Sequence, residues 1–134
     1  MPQFRVLAGL IVVMIAAVLA SADSLQLASQ LQPDPFSVAS AQQRFAAVAA
    51  RLPAFDEIGY ISDLPLEGKD GAPAFLVAQY ALAPRLLTPA SHTGPQLAIG
   101  NFSRPSDYAK AGAKTGYVVE ADLGSGVVLF TKAK

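Results

Sequence analysis

The stretch that decides the fold is DGAPAFLVAQYALAPRLLT, residues 70–88. Asp70 is a residue type that can cap the helix it precedes, and Pro84 ends that helix because its ring clashes with the carbonyl group four residues back. Arg85 lies at the exit, and residues 86–88 are predicted to form a short buried strand. Helical spacing predicts an apolar face made of Ala72, Phe75, Leu76, Gln79, Tyr80 and Ala83, which Val77, Ala78 and Leu82 widen. Because almost none of the helix surface is polar, we expect it to pack on more than one side. We therefore expect Phe75 and Tyr80 to be core residues.

Helix and strand patterns alternate on either side of this helix. The remaining predicted elements are a helix from Ser37 or Ser40 to Leu52, strands over 57–62 and 97–102, a short helix or turn from Pro105 to about Gly112, and a hairpin over 117–131 that turns at Gly124-Ser125-Gly126. In the hairpin, one face is expected to hold Tyr117, Val119, Ala121 and Leu123. Alternating strands and helices predict parallel pairing early in the sheet, and the hairpin predicts an antiparallel edge. The expected fold class is α/β: an N-terminal transmembrane helix, then a small α/β sandwich of two or three layers with a mixed sheet and a C-terminal β-hairpin.

The N-terminal segment is uniformly apolar. Every residue from Val6 to Ala20 is apolar or glycine, Arg5 precedes this run, and the first acidic residue is Asp23. The run is near the shortest length that spans a bilayer as a helix, and it also suits the apolar region of a secretory signal. Ala20-Ser21-Ala22 is a small-residue cleavage site, with cleavage before Asp23.

Both interpretations of the N-terminal segment predict export of the rest of the chain. We favour the retained anchor, because the run is long for a signal. Arg5 on its short side then predicts a cytoplasmic N-terminus and an exported C-terminus. The expected organisation is an anchor or signal segment at 1–22, a linker at 23–36 and an exported α/β domain at 37–134. The expected location is the bacterial inner membrane, single-pass, with secretion or a periplasmic location after cleavage as the alternative.

Composition excludes several classes of function. The 134-residue chain has 10 basic and 10 acidic residues, so it has none of the basic excess that a nucleic-acid surface requires. It has no Cys, which excludes disulfides, thiolate catalysis and zinc–sulfur sites. We expect no metal, no cofactor and no nucleic-acid partner.

Asp63 is the first candidate for a functional side chain. It follows the predicted strand 57–62, at the position where an α/β sheet places its ligand site, and Glu67 and Asp70 lie in the same loop. These carboxylates suit a metal or an acid/base pair, but they equally suit a solvated polar loop, which we favour.

Arg85 and His92 are the other candidates. Arg85 can bind a phosphate or carboxylate through two parallel hydrogen bonds. We prefer a structural role for it, either with the carbonyl groups at the helix C-terminus or with Asp63 or Glu57 across the sheet. His92 lies in a proline-flanked loop, and a single His without Cys or a second His is a poor metal site.

A family resemblance rests on four short segments: LPAFDEIGYISD, QYALAPRLL, LAIGNF and DLGSGVVLF, within residues 45–131. The chain resembles small soluble domains that accompany or end bacterial membrane glycosyltransferases using lipid-linked sugars. In such domains a helix ends in a Tyr-x-Leu-x-Pro-Arg pattern, matched here by residues 80–85. The multi-spanning catalytic part of those enzymes is absent from this chain, so the resemblance implies envelope glycan assembly as a context and transfers no catalytic residue.

Two hypotheses of function follow. The first is a membrane-anchored extracytoplasmic accessory or interaction domain without its own catalysis, held in the membrane through residues 6–22 and assisting an integral-membrane protein partner. The alternative is a small ligand-binding or enzymatic exported domain that uses Asp63 and Arg85, with His92 as a further ligand-binding candidate. The alternative requires these side chains to converge on one pocket.

Overall fold

The computed structural model describes Asp34 and residues 37–134. Its elements, in chain order, are helix α1 (Val38–Ala49), strand β1 (Glu57–Ser62), helix α2 (Gly71–Leu82), strands β2 (Leu86–Pro89) and β3 (Leu97–Asn101), helix α3 (Tyr108–Ala113), and strands β4 (Tyr117–Asp122) and β5 (Val127–Lys132). The predicted anchor at 1–22 and the predicted linker, apart from Asp34, lie outside the described residues. None of the helices in the described part of the chain has the length and apolar character needed to cross a membrane.

The five strands form one mixed sheet in the order β2-β1-β3-β5-β4. β1 pairs in parallel with β2 on one side and with β3 on the other. β5 pairs antiparallel with both β3 and β4. The predicted α/β class, mixed sheet and C-terminal hairpin are therefore confirmed.

Apolar side chains cover both faces of the sheet. On one face, α1 and α2 pack over the sheet in a cluster that includes Phe45, Ile58, Leu82 and Leu129. On the other face, α3 covers a smaller cluster that includes Ile61, Phe102, Tyr117, Val128 and Phe130. The domain thus has three layers, with two helices on one side of the sheet and one on the other.

The prediction that Tyr80 and Leu76 lie on the packed face of α2 is wrong. Tyr80 is 68% exposed and Leu76 is 54% exposed, whereas the buried residues of α2 are Gly71, Ala78 and Leu82. Phe75 is half-buried, and its ring meets the ring of Tyr60 edge-on at 5.1 Å between centroids. The sequence of α2 is apolar almost all round, so its spacing does not show which arc faces the core.

The predicted single face of the hairpin is also wrong, because a β-bulge separates its two halves. Val119 pairs with Phe130 and Ala121 pairs with Leu129, which leaves Glu120 as an extra residue in β4. A bulge residue reverses the alternation of side chains after it. Tyr117 therefore packs in the α3-side cluster, whereas Ala121 and Leu123 pack against the cluster under α1 and α2.

The helix ends differ from the predicted caps. Asp70 precedes α2 and Ser37 precedes α1, but neither side chain caps its helix. Asp107 does cap α3, because its carboxylate accepts a hydrogen bond of 3.0 Å from the backbone N–H of Lys110.

Candidate functional site

The carboxyl ends of β1 and β3 lie where this fold is best suited to hold a ligand. These two strands are parallel neighbours, so they end at the same edge of the sheet. The chain leaves β1 towards α2 on one face and leaves β3 towards α3 on the other face. In open α/β sheets, ligands bind in the crevice where neighbouring connections diverge in this way.

Asp63 lies at this edge and bridges the two strands. Its carboxylate accepts a hydrogen bond of 2.9 Å from the backbone N–H of Ser103 and one of 2.7 Å from the hydroxyl group of Ser103. The guanidinium group of Arg104 lies 3.8 Å away and is largely exposed. Burial acts to raise the pKa of Asp63, but the hydrogen bonds from Ser103 outweigh it and hold this pKa below the ordinary value. Asp63 therefore links the end of β1 to the loop after β3 in its ionised form.

Arg85 holds the C-terminal ends of both long helices. Its guanidinium group donates to the carbonyl oxygens of Pro53 at 2.7 Å, Ala49 at 2.9 Å and Leu52 at 3.2 Å, all at the end of α1. It also donates to Leu82 at the end of α2, at 3.4 Å. The preferred interpretation of Arg85, a cation at helix C-terminal carbonyl groups, agrees with these contacts, which extend to a second helix. It contacts neither Asp63 nor Glu57.

His92 lies in the exposed connection between β2 and β3. Its imidazole group borders Gly116: a Cβ atom at Gly116 would lie 2.7 Å from Nδ1 of His92. Gly116 has a φ of +83°, so this close approach and the left-handed backbone both favour glycine there.

The three candidate side chains are not brought together. Asp63 follows the last residue of β1, whereas Arg85 precedes Leu86, which pairs with the first residue of β1. A strand of six residues is about 20 Å long. Asp63 and Arg85 thus lie at opposite ends of the sheet, and no contact in the described part of the chain joins either of them to His92.

Ser103 and Arg104 are partners that the sequence did not reveal. Both follow β3, about 40 positions after Asp63, and a single Ser-Arg pair in a loop carries no pattern that points to a distant carboxylate. The signal that exists is topological: two parallel strands predicted at 57–62 and 97–102 imply that the residues after them lie side by side.

The described residues contain no group of three or more His, Cys, Asp or Glu side chains placed to hold a metal ion. Comparison with known proteins gives no family either: no family model matches the chain, and no curated protein or solved structure is significantly similar to it.

Proposed function

We propose that the chain is a membrane-anchored extracytoplasmic interaction domain that assists a membrane protein partner and has no catalysis of its own. The observation that carries this proposal is a group of exposed apolar side chains at one end of the domain, which we call the apolar end. It consists of Phe55, Tyr80 and Leu86, which are 86%, 68% and 59% exposed.

Hydrogen bonds around Arg85 bring these three residues to the same end. The backbone N–H of Leu86 donates to Asp56, the neighbour of Phe55, at 3.1 Å. The side chain of Gln79, the neighbour of Tyr80, donates to the carbonyl oxygen of Arg85 at 2.7 Å and accepts from Leu87 at 2.8 Å. The apolar end is thus displayed on a fixed framework, which reduces the entropy that binding would cost.

Exposure of this kind favours a protein contact. Single exposed apolar residues are ordinary, but several large ones at the same end of a small domain are typical of interaction surfaces. Aromatic side chains in particular are enriched at such surfaces, because they bury a large area with few rotatable bonds.

Helix α1 runs from the carboxyl edge of the sheet to the apolar end. Ser37 and Ser40, at the start of α1, line a depression together with Asn101 and Ser103 at the carboxyl edge of the sheet. The end of α1 lies at Arg85, about 18 Å away for a helix of 12 residues. The chain that precedes residue 37 therefore joins the domain at the end opposite to the apolar end.

The membrane context of the proposal comes from the sequence. The apolar run at residues 6–22 supports an anchor, and Arg5 supports export of the domain. The resemblance to domains that accompany membrane glycosyltransferases extends the proposal to envelope glycan assembly. We do not propose a shared site of Asp63 and Arg85, because these residues lie at opposite ends of β1.

Photocrosslinking in bacterial membranes tests the proposal. A photoreactive phenylalanine analogue replaces Tyr80 in the full-length chain, and the control places it at Val118, which is also exposed but lies on the distant edge strand β4. We expect a discrete protein adduct from position 80 and none from position 118. Adducts with lipid alone, or the same adducts from both positions, would contradict an interaction surface at the apolar end.

A further inference from the structure

A groove runs along α3 on the face of the sheet opposite to α1 and α2. It has a volume of about 540 Å³, within the range of small-molecule sites, and it opens at the carboxyl edge beside Asp63. We propose that this groove binds a small soluble organic phosphate, held by Lys110 and Lys114. This inference is independent of the interaction surface proposed above, because none of the residues of the apolar end lines the groove.

The groove exists because α3 is short and covers only part of its face. α3 packs beside β4, and none of the described helices lies above β1 and β2 on this face. The apolar part of the lining includes Ile61, Ala90, Phe102 and Ala111. A ligand with a carbon-rich body can therefore bury apolar surface in the groove.

The carboxylates that line the groove already have hydrogen-bond partners, whereas the ammonium groups of its lysines have none among the described residues. The carboxylate of Asp63 accepts two hydrogen bonds from Ser103 and lies near Arg104, and the carboxylate of Asp107 accepts one from the backbone of α3. The ammonium groups of Lys110 and Lys114 have no hydrogen bond or ion pair with any described residue. The groove thus offers two cations and no carboxylate without a partner.

The two lysines fit a phosphate dianion. Residues four apart on a helix are neighbours, about 6 Å between their Cβ atoms, so both ammonium groups can reach one anion. The hydroxyl groups of Ser62, Ser106 and Thr115 already donate to backbone carbonyl oxygens, whereas the ammonium groups of the two lysines donate to no described residue. Two positive charges match the double charge of a phosphate monoester, and lysine binds phosphate as a point charge.

The test is a titration of the full-length, ¹⁵N-labelled chain in a maltoside detergent, followed by NMR, with phenyl phosphate as the probe. We expect saturable shifts at residues 106–115 and at Ile61, and tighter binding of phenyl phosphate than of inorganic phosphate, because the phenyl ring covers the apolar lining. The variant Lys110→Gln with Lys114→Gln should bind phenyl phosphate at least about tenfold more weakly, which corresponds to about 1.4 kcal/mol.

The control removes the same charge elsewhere. Lys69→Gln with Lys134→Gln changes two exposed lysines that do not line the groove, and it should bind phenyl phosphate within about twofold of wild type, since distant exposed charges are screened. The proposal would be overturned if both double variants weakened the binding of phenyl phosphate equally, or if the chemical-shift changes were centred outside the groove. It would also be overturned if the chain responded to dihexanoyl phosphatidic acid but not to phenyl phosphate.

Discussion

Arg85 shows how one side chain can fix an entire end of this domain. It satisfies carbonyl groups at the C-termini of two helices, which have no partner within their own helices. We expect Arg85→Ala to lower the free energy of unfolding by about 2 kcal/mol, because hydrogen bonds from a charged donor are lost. Urea denaturation measures this. Arg51→Ala, at an exposed arginine without a described partner, is the control, and an equal loss in both variants would show that Arg85 does not hold the helices.

Asp63 is expected to make the domain sensitive to acid. Its pKa is lowered in the folded state, because hydrogen bonds from Ser103 outweigh burial, so its stabilising effect is complete above the ordinary carboxylate value near 3.8. That effect is lost as the pH falls through the lower, folded-state value. Asp63→Asn should therefore be less stable at pH 7 by about 1–2 kcal/mol, and its stability should fall less than that of wild type between pH 4 and pH 2.

Glu67→Gln is the matched control for Asp63, because Glu67 is exposed in the same loop and has no described partner. It should follow the wild-type pH profile. If Asp63→Asn lost stability in acid as steeply as wild type, the bridge between β1 and β3 would not depend on an ionised Asp63.

Tyr60 is expected to make the domain sensitive to base. Burial raises the pKa of its phenol group above 10.0, although the hydrogen bond of 2.8 Å from Asn101 acts in the other direction. The buried phenol therefore stabilises the fold fully below pH 10, and this effect is lost as the pH rises from 10 through the folded-state value. Tyr60→Phe should be about 1–3 kcal/mol less stable at pH 7, because the amide of Asn101 loses its partner. Urea denaturation from pH 7 to pH 11 should also show that the stability of Tyr60→Phe falls less steeply with rising pH than that of wild type. An equally steep fall in both proteins would contradict a raised pKa for Tyr60.

At the scale of elements, α2 offers a direct test of which face is packed. Leu82 is fully buried and Tyr80 is mostly exposed, although both lie in the last turn. Leu82→Ala should cost about 2–5 kcal/mol through the cavity it leaves, whereas Tyr80→Ala should cost at most about 0.5 kcal/mol. Thermal or urea denaturation of the two variants checks this. A larger loss for Tyr80→Ala would show that its ring is packed in solution.

The elements were predictable where the sequence carries local signals. β1 is bounded as predicted at residues 57–62, and Pro84 and the glycine-rich turn at 124–126 mark the ends of their elements. The side of each element that faces the core was less predictable. In α2 almost every side chain is apolar, so no side stands out. In β4 the side chains alternate regularly before and after Glu120, so the sequence gives no signal of the bulge there. Both errors come from tertiary packing that local spacing does not contain.

The place of Asp63 was predictable, but its partners were not. Its position at the carboxyl edge of the sheet follows from the order of strands and helices. The pairing of Asp63 with Ser103, and the open groove beside α3, depend on how far a helix of six residues extends across the sheet. The exposed apolar end likewise depends on which arc of α2 meets the core.

At the scale of the whole molecule, the two proposed surfaces are formed by different residues of the domain. The apolar end surrounds Arg85, and the groove with Lys110 and Lys114 opens at the carboxyl edge. Because the two surfaces share no residues, loss of the lysines should leave crosslinking from position 80 intact. The proposed interaction surface and the proposed ligand site can therefore be tested independently.

The anchor is the prediction that concerns the whole chain. If residues 6–22 stay attached, the protein remains in the membrane fraction after carbonate extraction, and mass spectrometry finds no mature form that begins at Asp23. Val13→Lys should weaken insertion, because lysine at the centre of a spanning helix costs about 2.5–3.5 kcal/mol. Gln32→Lys, which lies beyond the apolar run, is the control and should stay membrane-bound. A wild-type protein that begins at Asp23 would contradict retention and identify Ala20-Ser21-Ala22 as a cleavage site, because the same apolar run also suits a signal peptide.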